Sequence, residues 1–251
     1  MADDHIDKKN QKDGMSRRKF LKNTGYVTGG VVGGGILGSI LGSGWWSGSE
    51  TQPVSTTSEN NFEEARMFFK REEDFKILEK ATETIFPEDD YGPGAIDLGV
   101  PYFIDRQLAG AWGSNTRDYM KGPFQQGSET QGYQAPLTRG EVFLQGLRQI
   151  NQIAIENYDE PFFDLKEEDR VSILTEFSEG EVDMQSGPSD RFFNMLRTAV
   201  LEGAYADPLY GGNKNMAGWR MKQHPGAVMS YLEVIEEEEF VEMDPIPLKD
   251  H

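Results

Sequence analysis

The chain has 251 residues, with 25 Lys and Arg against 43 Asp and Glu, a formal net charge of −18, and no cysteine. Acidity of that size repels phosphate backbones, so nucleic acid is not an expected partner. The missing thiols exclude disulfides, iron–sulfur ligation, Cys-x-x-Cys-His haem attachment and thiol nucleophiles, and leave stability to packing within the chain or against another.

The first element is an address. Ser16-Arg17-Arg18-Lys19-Phe20-Leu21-Lys22 precedes an uncharged, glycine-dense run from Asn23 to Ser49. Arg17, Arg18, Phe20 and Leu21 in that setting read as a signal for the twin-arginine translocase, which exports folded proteins. An ordinary signal peptide or a plain membrane anchor is the competing reading, but the glycines keep the run's hydrophobicity low for a stable span. Delivery to the outer face of the cytoplasmic membrane or the periplasm is expected. No Ala-x-Ala occurs; the run Gly42-Ser43-Gly44-Trp45-Trp46-Ser47 offers only small residues and two tryptophans, so cleaved and membrane-tethered forms both stay open. Gly33-Gly34-Gly35-Ile36-Leu37-Gly38 spells G-x-G-x-x-G, yet a dinucleotide site needs a βαβ unit around it. Inside an export segment it predicts no cofactor.

We divide the chain into a signal segment (1–48), a polar linker (49–61) and one domain (62–251) large enough for a real core. Phe68, Phe75, Leu78, Thr82 and Ile85 share one helical stripe that Pro87 stops. A turn-rich loop, Pro87 to Gly94, follows. Pro101 suits a helix's first turn, with Val100, Phe103, Ile104 and Leu108 as its apolar face and Gly110 as its end. Residues 113–136 read as a long surface loop. Thr138 and Glu141 form a capping box for a helix over Arg139–Asn157, and Leu165–Phe177 and Pro188–Tyr205 repeat the helical spacing. Without sustained strand alternation, the expected fold is mostly α: a single helical domain of about five or six helices with long loops.

Catalytic and metal-binding constellations are not legible. The three histidines are His5, His224 and His251, none in a Glu-x-x-His pair. His224 stands alone, with no nucleophile or paired carboxylate to be argued around it. Glu236-Glu237-Glu238-Glu239 reads as a solvated helix end or tail.

The most informative stretch runs from Phe192 to Asn213, with Met216-Ala217-Gly218-Trp219 and His224-Pro225-Gly226 after it. An amphipathic helix enters a loop of glycine, aromatic and proline residues: Asp207-Pro208 ends the helix, Gly211-Gly212-Asn213 permits positive φ, and Trp219 supplies a large rigid ring. Such a loop is either a buried structural knot or a recognition surface. Asp207-Pro-Leu-Tyr-Gly-Gly-Asn with Gly218-Trp219 and Pro225-Gly226, together with Ile85-Phe86-Pro87-Glu88-Asp89-Asp90, Gly92-Pro93-Gly94-Ala95, Gly99-Val100 and Phe103-Ile104-Asp105-Arg106, resembles the gluconate 2-dehydrogenase subunit 3 family over roughly residues 72–230.

That resemblance implies an accessory role. In the family, FAD and the catalytic histidine belong to a separate large flavoprotein of the glucose–methanol–choline type that has no export signal. The small subunit carries the twin-arginine peptide and takes the folded large subunit across the membrane, and electrons leave by a cytochrome c subunit or another acceptor. The expected partner-binding residues, read from a rigid aromatic anchor set among turn backbones as interface hot spots commonly are, are Tyr210, Gly211, Gly212, Asn213, Gly218, Trp219, Pro225 and Gly226, with no catalytic, cofactor or metal residue expected in this chain. Having no cysteine, the chain cannot form a disulfide to a partner. Two rival functions remain: an exported enzyme in its own right using His224 and carboxylates, and a stand-alone acidic envelope binding protein.

Overall fold

The computed structural model describes residues 64–125, 134–232 and 234–251. Among them are six α-helices: α1 (Glu72–Ile85), α2 (Val100–Ala109), α3 (Arg139–Tyr158), α4 (Glu167–Glu179), α5 (Ser189–Tyr205) and α6 (Ala217–Met221). One antiparallel hairpin pairs β1 (Asp183–Met184) with β2 (Gly187–Pro188). The fold is mostly α, as the apolar spacing predicts. No helix of the described residues is long and apolar enough to cross a membrane. The expected signal segment and linker lie outside the described residues.

α5 is the central helix, packing on each of the other five. Its inward face, Phe192, Phe193, Leu196, Ala199, Val200 and Ala204, is fully or almost fully buried. The Phe192 ring meets Phe143 of α3 and Phe177 of α4 edge-to-face, with centroids 5.7 and 5.8 Å apart. That geometry sets the ring quadrupoles favourably and adds about 0.5–1.5 kcal/mol per pair to the area burial.

The helix ends follow local chemistry. Glu72, Glu73 and Asp74 occupy the first turn of α1, where the helix dipole favours acids, and Asp74 also takes a bidentate grip from Arg148 of α3 at 2.8 and 3.1 Å. The capping box of α3 forms as its sequence predicts: Thr138 Oγ1 accepts from the Glu141 amide and Glu141 accepts from the Thr138 amide.

The first predicted helix begins later than its apolar stripe. Phe68 lies outside α1, stacked edge-on against Phe69. The cause is Asp105 on α2, a fully buried carboxylate that accepts from the amides of Met67, Phe68 (3.1 Å) and Phe69 (2.9 Å). Those donors are satisfied by a side chain some 37 residues away, so the segment need not coil to satisfy them. Most described residues between 113 and 136 are exposed, as expected of a surface loop, but Gly113, Asn115 and Ala135 are buried. Buried Asn115 receives the Arg139 amide on Oδ1 at 2.8 Å and so braces the start of α3.

Candidate functional site

The two sequence signatures, some 100 residues apart, meet in space. α5 ends at Tyr205, whose ring packs edge-on against Phe86 with centroids 6.0 Å apart. Asp207 then does two jobs. Its Oδ1 accepts from the Leu209 amide at 2.9 Å, capping the short turn Pro208–Tyr210, and its Oδ2 accepts from the Leu248 amide at 2.8 Å. The Lys214 amide donates to the Leu98 carbonyl at 3.1 Å. Met221 of α6 crowds Gly92 so closely that a methyl there would meet its sulfur at 2.6 Å.

The loop between α5 and α6 is held from within. Gly211, Asn213, Asn215 and Met216 all have positive φ, a backbone that is cheap for glycine, tolerable for asparagine and strained for methionine. A methyl at Gly211, Gly212 or Gly218 would land 1.7 Å from Arg106 Nη1, 2.2 Å from the Gly203 carbonyl oxygen and 1.9 Å from the Ala204 carbonyl oxygen respectively. Asn213 is fully buried; its Oδ1 accepts from the Gly218 amide at 2.7 Å and its Nδ2 donates to the Ala206 carbonyl at 2.8 Å. Trp219 is 6% exposed, and its Nε1 donates to the Tyr205 carbonyl at 2.8 Å. The Pro225 carbonyl and the Gly226 backbone pair with Ile246.

Of the residues expected to meet a partner, Gly212, Asn213, Gly218 and Trp219 are therefore buried in the domain's own structure, Gly211, Pro225 and Gly226 are half-buried, and Tyr210 with its neighbour Leu209 stands exposed. Beside Tyr210, Ile96, Gly99, Tyr102, Pro208, Lys214 and Lys249 line a cleft of about 210 Å³. Burial, with help from Glu79 and Glu64, holds the Tyr102 hydroxyl above its usual range, so it stays neutral. The site can hold a shape and present a few exposed groups around a small cleft.

His224 is exposed and packs edge-on against the Trp219 ring with centroids 5.5 Å apart. No ion pair joins it to a carboxylate among the described residues. Nor does any group of three or more His, Asp or Glu among the described residues stand ready to hold a metal. Arg17, Arg18, Phe20 and Leu21 lie outside the described residues, as does the Gly33–Gly38 run.

Asp105 and Arg106 stand in the signature, but the sequence does not show that Asp105 holds the amides of residues 67–69, that Arg106 packs on Gly211 or that Asp207 makes a second bond, because each acts over a long separation that local spacing does not encode. Glu236–Glu239 are solvated as expected but sit in an irregular exposed stretch, since no helix ends there among the described residues.

The model of the gluconate 2-dehydrogenase subunit 3 family matches residues 72–226. The chain belongs to that family. The matched span opens on the first residue of α1 and closes on Gly226, so it takes in all six helices and both signatures; residues 227–251 follow it. No curated protein and no solved structure matches the chain. Membership makes it a subunit of a dehydrogenase complex, working with other subunits.

Proposed function

We propose that this chain is the non-catalytic small subunit of an exported, FAD-dependent sugar or sugar-acid dehydrogenase. It escorts a large flavoprotein of the glucose–methanol–choline type through the twin-arginine pathway and stabilises it afterwards. FAD and turnover belong to that partner, and a cytochrome c subunit can take the electrons. The family match over residues 72–226 carries the reading. The twin arginines are its second support, because a signal for folded cargo suits a subunit that travels with another. A third is the loop between α5 and α6, whose large, shape-defining residues are spent on internal bonds and leave an exposed rim for contact.

The test is export. Substituting Arg17→Lys and Arg18→Lys together should hold both this chain and its large partner in the cytoplasm. Normal delivery of the doubly substituted chain contradicts the twin-arginine part of the proposal. Retention of this chain alone, with the flavoprotein still delivered, contradicts the escort part.

A further inference from the structure

Beyond the Trp219 knot the chain makes an excursion with a pinned base. The Ala227 amide donates to the Ile246 carbonyl at 2.8 Å and the Ile246 amide to the Pro225 carbonyl at 3.1 Å. Gly226 has φ +76, and a methyl on it would strike the Ile246 carbonyl oxygen at 2.4 Å and the Trp219 ring at 2.8 Å. Two residues on, the Leu248 amide is fixed to Asp207. Residues 227–245 thus leave and rejoin the domain at one rigid place.

Within that excursion four large apolar side chains find little cover, while Val228, Val234 and Met243 are half-buried. Met229 is 72% exposed, Leu232 80%, Ile235 70% and Phe240 78%. Consecutive turns, with the Val234 amide bonded to the Tyr231 carbonyl and the Glu237 amide to the Val234 carbonyl, give the central stretch local shape without burying it. Four such side chains exposed between Met229 and Phe240 are more than the scattered apolar residues of an ordinary surface, and point to an interaction segment. Its charge says which kind. Residues 227–245 contain Glu233, Glu236, Glu237, Glu238, Glu239, Glu242 and Asp244 and no lysine or arginine. Anionic lipid and nucleic acid repel such a segment, and a second copy would oppose it with the same charges. A surface that fits has an apolar groove with a cationic rim.

We propose that residues 227–245 are a docking loop for the larger subunit of the dehydrogenase complex, received in an apolar groove bordered by lysine or arginine side chains. Leu232, Ile235 and Phe240 enter the groove and the glutamates meet its rim. Because both ends of the loop are fixed, binding orders fewer residues than a free tail of equal length would, and less entropy is lost. The inference rests on the proposed role as a subunit of a larger assembly.

The test uses the full chain, tagged and produced in its native host with its complex. Leu232→Ser, Ile235→Ser and Phe240→Ser together should weaken recovery of the larger subunit by at least about tenfold, as removal of central interface anchors does, while the melting temperature of the variant stays at the wild-type value. Tyr119→Ser, at an equally exposed tyrosine elsewhere, should leave recovery unchanged. Unaltered recovery with the triple variant overturns the docking loop and leaves the subunit role standing. So does a triple variant whose only changes are loss of self-association by light scattering, or faster proteolysis of residues 1–63, since the loop's occupant would then be a second copy or the chain's own beginning. If the wild-type chain recovers no larger subunit, the subunit role fails, and the docking loop with it.

Discussion

Trp219 Nε1 donates a 2.8 Å hydrogen bond to the Tyr205 carbonyl, so the last turn of α5 is closed by a side chain fourteen residues further along. Helix ends leave carbonyls without intrahelical partners, and here the indole both satisfies one and buries its ring. The ring also backs Gly226 and so supports the base of the acidic loop. One residue thereby links the central helix to the surface on which partner contact is proposed.

Trp219→Ala should therefore cost the free chain about 3–5 kcal/mol of folding stability, the usual range for a buried tryptophan. Thermal and denaturant unfolding of the purified chain measure it. Weakened partner association would follow from the damaged loop rather than from a lost direct contact. An unchanged melting temperature together with lost association would instead make Trp219 a contact residue.

Asn213→Ala removes both bonds of a fully buried amide and strands the Gly218 amide and the Ala206 carbonyl. A buried group left unpaired costs about 1–3 kcal/mol; the Gly218 amide is buried, but the Ala206 carbonyl is only half-buried and can turn to water, so a loss of about 2–4 kcal/mol is expected. Denaturant unfolding with an unchanged m-value would report it. A change within the roughly 0.5 kcal/mol typical of surface substitutions would contradict the pivotal place given to Asn213.

Asp105→Ala deprives three consecutive amides of their acceptor. Bonds to a charged group contribute about 1.5–3 kcal/mol each and do not add in full. The expected loss is about 3 kcal/mol, with faster proteolysis between residues 64 and 71. Limited proteolysis that proceeds at the wild-type rate would show that the segment is held by its phenylalanines alone.

Burial holds the Glu79 carboxyl above the ordinary carboxylate range, against the opposing pull of Lys80 and Arg66. The folded chain thus binds this proton more tightly than the unfolded chain. The stability Glu79 contributes is present at low pH and is lost as pH rises from the ordinary value of 4.5 through the raised folded value. Glu79→Gln should then be more stable than wild type at neutral pH, with a flatter stability curve above pH 4.5. A variant less stable at neutral pH than in acid, relative to wild type, would contradict that sign.

How much of this was legible depends on how local the cause is. α3 could be read almost residue by residue, because Thr138 and Glu141 announce its start and Phe143, Leu147, Ile150 and Ala154 keep helical spacing. α2 was readable from Pro101 and its apolar face. Phe68 continues the apolar stripe by spacing, while the carboxylate that keeps it out of the helix sits on another helix. The five-residue α6 and the two-residue strands are too short to show any period. At the candidate site, glycine, asparagine and tryptophan marked the loop correctly as unusual. Spacing could not tell whether it faced inward or outward, since that depends on the Ala204, Tyr205 and Ala206 carbonyls that the folded chain brings to it.

The most direct test of the accessory role is to purify the tagged full chain from its native host and follow flavin, polypeptides and sugar oxidation through one column. We predict that a second, larger chain co-elutes with FAD absorbance and with sugar or sugar-acid dehydrogenase activity. After deletion of that partner, the same tagged chain should be colourless and inactive. Flavin absorbance and turnover persisting in the chain purified without any partner would contradict the account.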